Sequence, residues 1–231
     1  MKGMEPDIAA NLQRVRERIS RACEQAGRDP AGVRLLAASK GVDPDRVRLA
    51  LGAGQALFGE TRAQELRDKS ALLGAGPEWH FIGRLQRNKV RNVVGCATVV
   101  HTVDRFSLAE ALASRAVRYG RVMGVLVQVN VGSEPQKSGV SSTEALELCE
   151  RIHGLDGVEV RGLMCLPPWS DEPDGARPWF RGLAELAVQG RDRGLPLTEL
   201  SMGMSRDLEC AVAEGSTCVR VGTAIFGQRP T

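Results

Sequence analysis

The strongest constraint on this chain is a rhythm of eight short apolar runs, most of them followed by a helical pattern, across residues 33–227. The runs are VRLLAASK (33–40), QALFGE (55–60), EWHFIG (78–83), ATVVHTVD (97–104), GVLVQVNV (124–131), VEVRGLMCLP (158–167), LTELSMG (197–203) and CVRVGTAIFG (218–227). Short apolar runs bounded by turn formers read as strands covered on both faces. Between them lie helical stretches at Asp43–Ala53, Thr61–Leu73, Gln86–Val94, Leu108–Tyr119, Ser142–His153, Pro178–Gly194 and Arg206–Ala213. Pro44 suits a helix start, Gly52 and Gly54 suit its end, and Ser142 or Thr143 suits a cap. Such alternation implies a parallel sheet with right-handed crossovers. Eight repeats in 231 residues match an α/β fold of one kind, a single (β/α)8 TIM-type barrel. A doubly wound open sheet would usually end in a helix and seldom needs eight strands. Asp7–Ala26 adds an amphipathic helix through Ile8, Leu12, Val15 and Ile19, with no strand before it. The expectation is one domain over 1–231, with the helix of 1–28 on the outside or bottom of the barrel.

In a barrel the chemistry sits at the C-terminal rim of the strands. The first run ends in Lys40, followed by Gly41 and Asp43-Pro44. Burying a lysine disfavours the charged ammonium and leaves a neutral amine that can form a Schiff base with a carbonyl. Taken alone, the stretch favours a lysine that has left the sheet and reaches solvent. The far side of the rim shifts that balance. Ser201-Met202-Gly203-Met204-Ser205 and Arg220-Val221-Gly222-Thr223 gather small and hydroxyl residues after the last two runs. Many barrels hold phosphate there, on backbone N–H groups and a helix N-terminus. Ser205 precedes the helix expected near Arg206, so it could serve as both cap and phosphate ligand. Gly222 and Thr223 offer amides at close approach. A buried lysine, a phosphate cup and a barrel together point to pyridoxal 5′-phosphate (PLP) held as a Schiff base.

Other features carry less. His80 and His101 lie in apolar strands and read as satisfied core or rim histidines. Lys137 reads as an exposed loop lysine and Cys165 as a buried thiol. Glu60 and Asp104 are the only obvious rim carboxylates for a phosphosugar-type barrel enzyme. The basic stretch Arg84–Arg91 lacks interleaved aromatics for base stacking, which favours a solvated helix face over a nucleic-acid site. A net charge of +3 gives no argument for nucleic acid or a membrane, and no run approaches a membrane span. Met1–Arg28 is charged throughout, so no secretory signal is expected. Six cysteines without a CxxC pair, and three histidines without ligand spacing, indicate reduced thiols, a cytoplasmic setting and no metal. A monomer is the expectation.

Several stretches in combination carry a family resemblance. They are AASK (37–40), AGQALFGETRAQEL (53–66), WHFIGRLQRNK (79–89), HTVDR (101–105), QVNVGSEPQKSG (128–139), RGLM (161–164) and LSMGMSRDLECAVAEGSTCVRVGTAIFG (200–227). The chain resembles the pyridoxal phosphate homeostasis proteins, and its fold resembles the N-terminal barrel of alanine racemases. The resemblance implies that Lys40 is the Schiff-base lysine. It implies that Ser205, Gly222 and Thr223 bind the phosphate and that Arg220 faces the pyridine nitrogen. A guanidinium only donates, so it would keep that nitrogen unprotonated and mute carbanion chemistry. Two positions depart from the family pattern: Thr61 stands where Asn is usual, and Arg84 where Pro is usual. The implied function is holding PLP for intracellular PLP and amino-acid/keto-acid homeostasis, without strong catalysis. PLP-dependent apo-enzymes are the implied partners. The alternative is an amino-acid racemase, which needs a second acid–base group, commonly tyrosine. The single tyrosine, Tyr119, is expected far from the rim.

Overall fold

The computed structural model describes residues 6–172 and 174–228. The outermost residues of the expected 1–231 unit (1–5 and 229–231) lie outside the described residues, as does 173. Eight parallel strands close into a barrel in chain order. They are β1 (Arg34–Ala38), β2 (Leu57–Glu60), β3 (Glu78–Phe81), β4 (Val99–Val103), β5 (Met123–Val129), β6 (Val158–Cys165), β7 (Glu199–Ser201) and β8 (Cys218–Val221). The ring closes where Ala37 of β1 pairs with Val221 of β8.

Helices cover the outside: α1 (Ile8–Gln25), α2 (Pro44–Gly52), α3 (Ala63–Leu73), α4 (Val90–Val94), α5 (Phe106–Arg118), α6 (Ser142–His153), α7 (Arg177–Asp192), α8 (Leu208–Ala213) and α9 (Thr223–Phe226). Alternation along each strand sends one parity outward and the other inward. Leu35, Ala37, Phe58, Trp79, Phe81 and Val100 join the large apolar layer between sheet and helices. Leu36, Leu57 and Cys218 fill the interior at one level, and Val99, Leu126 and Met164 fill it at another. Each buried large apolar side chain contributes roughly 1.5–3 kcal/mol relative to exposure. The barrel is therefore a packed core whose free chemistry is confined to its ends.

Four expectations need correction. The eighth run is half strand and half helical turn: β8 stops at Val221, and Thr223–Phe226 coils. Its tail TAIF is apolar because the turn packs into the core, with Ile225 and Phe226 buried. The stretch at Gln86–Val94 is a 3-10 turn over Arg87–Lys89 followed by the short α4. The cap of α6 is Ser141, whose side chain accepts from the Glu144 N–H, and not Ser142 or Thr143. Finally, α8 starts at Leu208, so Ser205 stands three residues ahead of it and caps nothing.

The N-terminal helix finds its place between α8, α9 and α2. It buries Ile8, Leu12, Val15 and Ile19, and so stands in the outer layer where the four-residue α9 is too short to cover the seam between β8 and β1. Its polar face reaches the rim. Arg18 Nη2 donates to the Ser205 carbonyl at 2.9 Å, and Asn11 Nδ2 donates to the Ile225 carbonyl at 2.8 Å.

Candidate functional site

The expected site residues come from adjacent strands at the C-terminal mouth. Lys40 corrects the expectation of a buried lysine: β1 ends at Ala38, and Lys40 is exposed in the turn beyond. Alternation puts it on the inward parity of Leu36 and Ala38, with Ser39 turned outward onto Glu60. The amine thus belongs to the mouth rather than to the packed wall.

Beside it, Gly222 lies so close to β1 that an added Cβ would sit 3.0 Å from the Ala38 carbonyl oxygen. A larger residue would push the end of β8 away from the end of β1. The first bonds of the α9 turn run from the Ile225 and Phe226 N–H groups to the Gly222 carbonyl. The N–H groups of Thr223 and Ala224 precede those bonds and have no partner within the turn. Gly203 adopts φ +91, and a Cβ there would meet the Ala211 Cβ at 2.5 Å. Its carbonyl accepts from the Arg220 N–H at 2.9 Å, which ties the β7 loop to β8. Ser205 is half-buried in that loop and Thr223 is exposed.

Arg220 is 5% exposed and points into the barrel. Its Nη1 donates to Ser201 Oγ at 2.6 Å and its Nη2 donates to the Cys165 carbonyl at 2.9 Å. Burial lowers its affinity for the proton, yet no carboxylate pairs with it among the described residues. Its other N–H groups are unspent by these two bonds.

The remaining candidates sort by position. Glu60 faces away from the interior and pairs with Lys69 at 2.7 Å. Asp104 pairs with Arg105. Lys137 donates to the Pro167 carbonyl at 2.9 Å and pairs with Glu134, so it is tethered rather than free. Cys165 is fully buried, and burial pushes its thiol up to about 12. Tyr119 caps the C-terminal end of α5, which lies at the opposite end of the barrel from the mouth, and stacks on Arg115. Arg84 lines a cleft of about 520 Å³ with Arg62, Lys89 and Arg105, beside the ends of β2 to β4. Sequence reasoning missed Lys69 and Glu65, placed Ser201 among the rim residues without its bond to Arg220, and missed that His80 and His101 bond each other at 2.8 Å.

This geometry fits the chemistry of one cofactor type. An accessible amine suits an aldehyde, glycine-rich loops with hydroxyls and amides suit a phosphate, and an inward guanidinium suits a ring nitrogen. Comparison with known proteins points the same way. Residues 8–230 match the family described as alanine racemase, N-terminal domain. A pyridoxal phosphate homeostasis protein of Aquifex aeolicus is 46% identical over 220 residues, covering 94% of this chain and 96% of that protein. One from Pseudomonas aeruginosa is 43% identical over 223 residues, covering 96% of each. The structure of PipY of Synechococcus elongatus with PLP bound is 34% identical, with a TM-score of 0.84 over 96% of this chain and all of that one (100%). Alanine racemase of Corynebacterium glutamicum shares the fold at a TM-score of 0.69, with 18% identity. The class is thus the barrel of the alanine racemase N-terminal domain. Within it, the chain belongs to the family of the pyridoxal phosphate homeostasis proteins.

Proposed function

We propose that this protein binds PLP with Lys40 as its covalent anchor and serves intracellular PLP and amino-acid/keto-acid homeostasis, without strong catalysis of its own. The observation that carries this reading is the meeting, at one rim, of the exposed Lys40, the close-packed Gly222 and the inward Arg220. PLP supplies an aldehyde and an electron-withdrawing ring when bound. Lys40 would hold the aldehyde carbon. Ser205 and Thr223, with the amides at Gly222 and Thr223, would hold the phosphate. Arg220 would donate to the ring nitrogen and leave it unprotonated, which weakens the ring as an electron sink. Donation of cofactor to PLP-dependent apo-enzymes and a cytoplasmic setting complete the proposal. No described helix is long and apolar enough to cross a membrane.

A racemase reading asks for a second acid–base group facing Lys40 across the cofactor. Tyr119, the one tyrosine, stands at the wrong end of the barrel. The test is the visible absorption of the protein with PLP, beside that of Lys40→Ala. A borohydride-reducible band in the wild type alone, with the label on the peptide containing Lys40, supports the proposal. No band in either protein overturns it, and an equal band in both removes Lys40 as the anchor.

A further inference from the structure

A polar chain crosses the barrel interior, and of its members only Arg220 has a role above. At the N-terminal end of the strands, Arg34 Nη2 donates to Glu78 Oε2 at 2.6 Å. Glu78 Oε1 lies 3.0 Å from His80 Nε2, and His80 Nδ1 lies 2.8 Å from His101 Nε2. His101 Nδ1 lies 2.8 Å from Ser201 Oγ, which accepts from Arg220 Nη1 at 2.6 Å. The chain thus links β1, β3, β4, β7 and β8, from one end of the barrel to the cofactor side. His80 is 1% exposed, and His101 and Ser201 are 0% exposed.

The proton positions follow from the ends. The hydrogen bond from His80 holds the Glu78 carboxyl down at about 2, so it is an ionised acceptor. Burial holds both imidazoles below their ordinary values, and His101 is lowered further by His80 and Arg220. A neutral His80 must then donate from Nε2 to Glu78, which leaves Nδ1 as acceptor. His101 must donate from Nε2 to that nitrogen, which leaves its own Nδ1 as acceptor. Ser201 must therefore give its hydroxyl proton to His101, and its lone pairs are left for Arg220, which can only donate. Every link is satisfied in one direction, and no alternative tautomer satisfies them all.

We infer that Glu78, His80, His101 and Ser201 form a hydrogen-bond chain of single polarity that fixes both histidine tautomers and orients the Arg220 guanidinium toward the cofactor ring. They act as positioning residues. With its hydroxyl proton committed to His101, Ser201 cannot turn to donate elsewhere. Arg220 is then held on two strands at once, by Ser201 Oγ of β7 and the Cys165 carbonyl of β6. The orientation toward the ring rests on the PLP proposal, whereas the polarity of the chain does not.

The experiment therefore has two readouts. Long-range proton–nitrogen correlation on protein labelled with 15N-histidine, without PLP, is expected to show His80 and His101 both as Nε2–H tautomers across neutral pH. A Nδ1–H tautomer or a doubly protonated ring at either position overturns the chain. PLP titration is expected to be about tenfold weaker for His101→Leu and for Ser201→Ala, the scale of one lost buried hydrogen bond. His101→Gln, whose amide can accept from Ser201 and donate to His80, is expected to recover most of the loss. Ser201→Ala removes only one hydroxyl and guards against misfolding of His101→Leu. Folded Ser201→Ala that binds PLP as tightly as wild type overturns the positioning role. A wild type that binds no PLP sinks the earlier proposal, and the tautomers still decide the chain.

Discussion

Two lysines near the mouth of the barrel make opposite use of their surroundings. Lys69 of α3 is 5% exposed, and its Nζ donates to the Ser39 carbonyl at 2.6 Å and to Glu60 Oε1 and Glu65 Oε1 at 2.7 Å each. Those three acceptors take all three N–H bonds of an ammonium, so no lone pair is available. Lys40 stands one residue beyond Ser39, exposed, with no ion pair among the described residues. Burial was the argument for a reactive Lys40, and the structure inverts it. The lysine that the fold buries is the one it neutralises with carboxylates, because an unpaired buried charge is untenable. The lysine left without an ion pair among the described residues is the one at the open end.

The buried lysine nonetheless serves the open one. Its acceptor Ser39 also donates from Oγ to Glu60 Oε1 at 2.7 Å, and Glu65 Oε1 accepts from the Gly41 N–H at 2.6 Å. Both neighbours of Lys40 are thereby fastened to the same cluster. Removing the cation should expose that dependence most strongly. Lys69→Met strands two carboxyls, one of them fully buried, and is expected to destabilise by about 3–5 kcal/mol, read from urea unfolding. Lys40→Met, which takes away an exposed side chain, should stay within about 0.5 kcal/mol of wild type. Equal losses in the two variants would overturn the contrast between the two lysines, because they would give Lys40 a structural role that its exposed side chain lacks.

Much of this was legible in advance, and the exceptions have physical causes. The eight strands could be read because a parallel sheet covered on both faces leaves continuous apolar runs. The end of β8 could not, because Thr223–Phe226 is apolar for a different reason: it packs as a turn into the core. Glu65 and Lys69 have the i,i+4 spacing of an ordinary solvated pair, and only the tertiary placement of Glu60 turns them inward. Histidines 80 and 101 are 21 residues apart and meet because β3 and β4 pair with His80 opposite Val99, which puts His101 two residues further along the same interior face. Strand register sets that meeting, and no local pattern encodes it. Lys40, Gly222 and Thr223 could be placed at the mouth because rim positions follow strand ends. The cap assigned to Ser205 failed because α8 begins later than its sequence implies.

Glu60 is the carboxyl that meets Lys69 from full burial. Its Oε2 has no hydrogen-bond partner among the described residues. Burial raises its proton affinity above the ordinary carboxyl value, against the opposing pull of Lys69 and Ser39. A carboxyl raised in the folded state holds its proton more firmly there than in the unfolded chain. Its ionisation therefore lowers stability as pH rises from the ordinary carboxyl range through the raised folded value. Glu60→Gln removes that titration and keeps an acceptor for Lys69. The variant is expected to gain on wild type as pH rises, by about 1–2 kcal/mol between mildly acid and mildly alkaline solution. A difference that stays constant with pH would show that Glu60 is ionised in both states throughout, and that Lys69 alone compensates its burial.

The smallest effect belongs to the mouth itself, where solvent already competes for every group. Ser205 is half-buried, its carbonyl is held by Arg18, and its hydroxyl makes no hydrogen bond among the described residues. If that hydroxyl meets the cofactor phosphate, Ser205→Ala removes one hydrogen bond of several to the same group. The remaining amides near Gly222 and Thr223 keep most of the interaction, so PLP affinity should fall by about fivefold, for a net bond of ~1 kcal/mol. Covalent trapping on Lys40 should persist in Ser205→Ala, because the proposed anchor follows β1 whereas Ser205 follows β7. Arg18→Ala loosens the same loop without touching the hydroxyl and should weaken binding less than Ser205→Ala. If Arg18→Ala were the more damaging of the two, the loop's position would matter more than the serine side chain. The mouth would then depend on an outer clamp, as Lys40 depends on the cluster around Lys69.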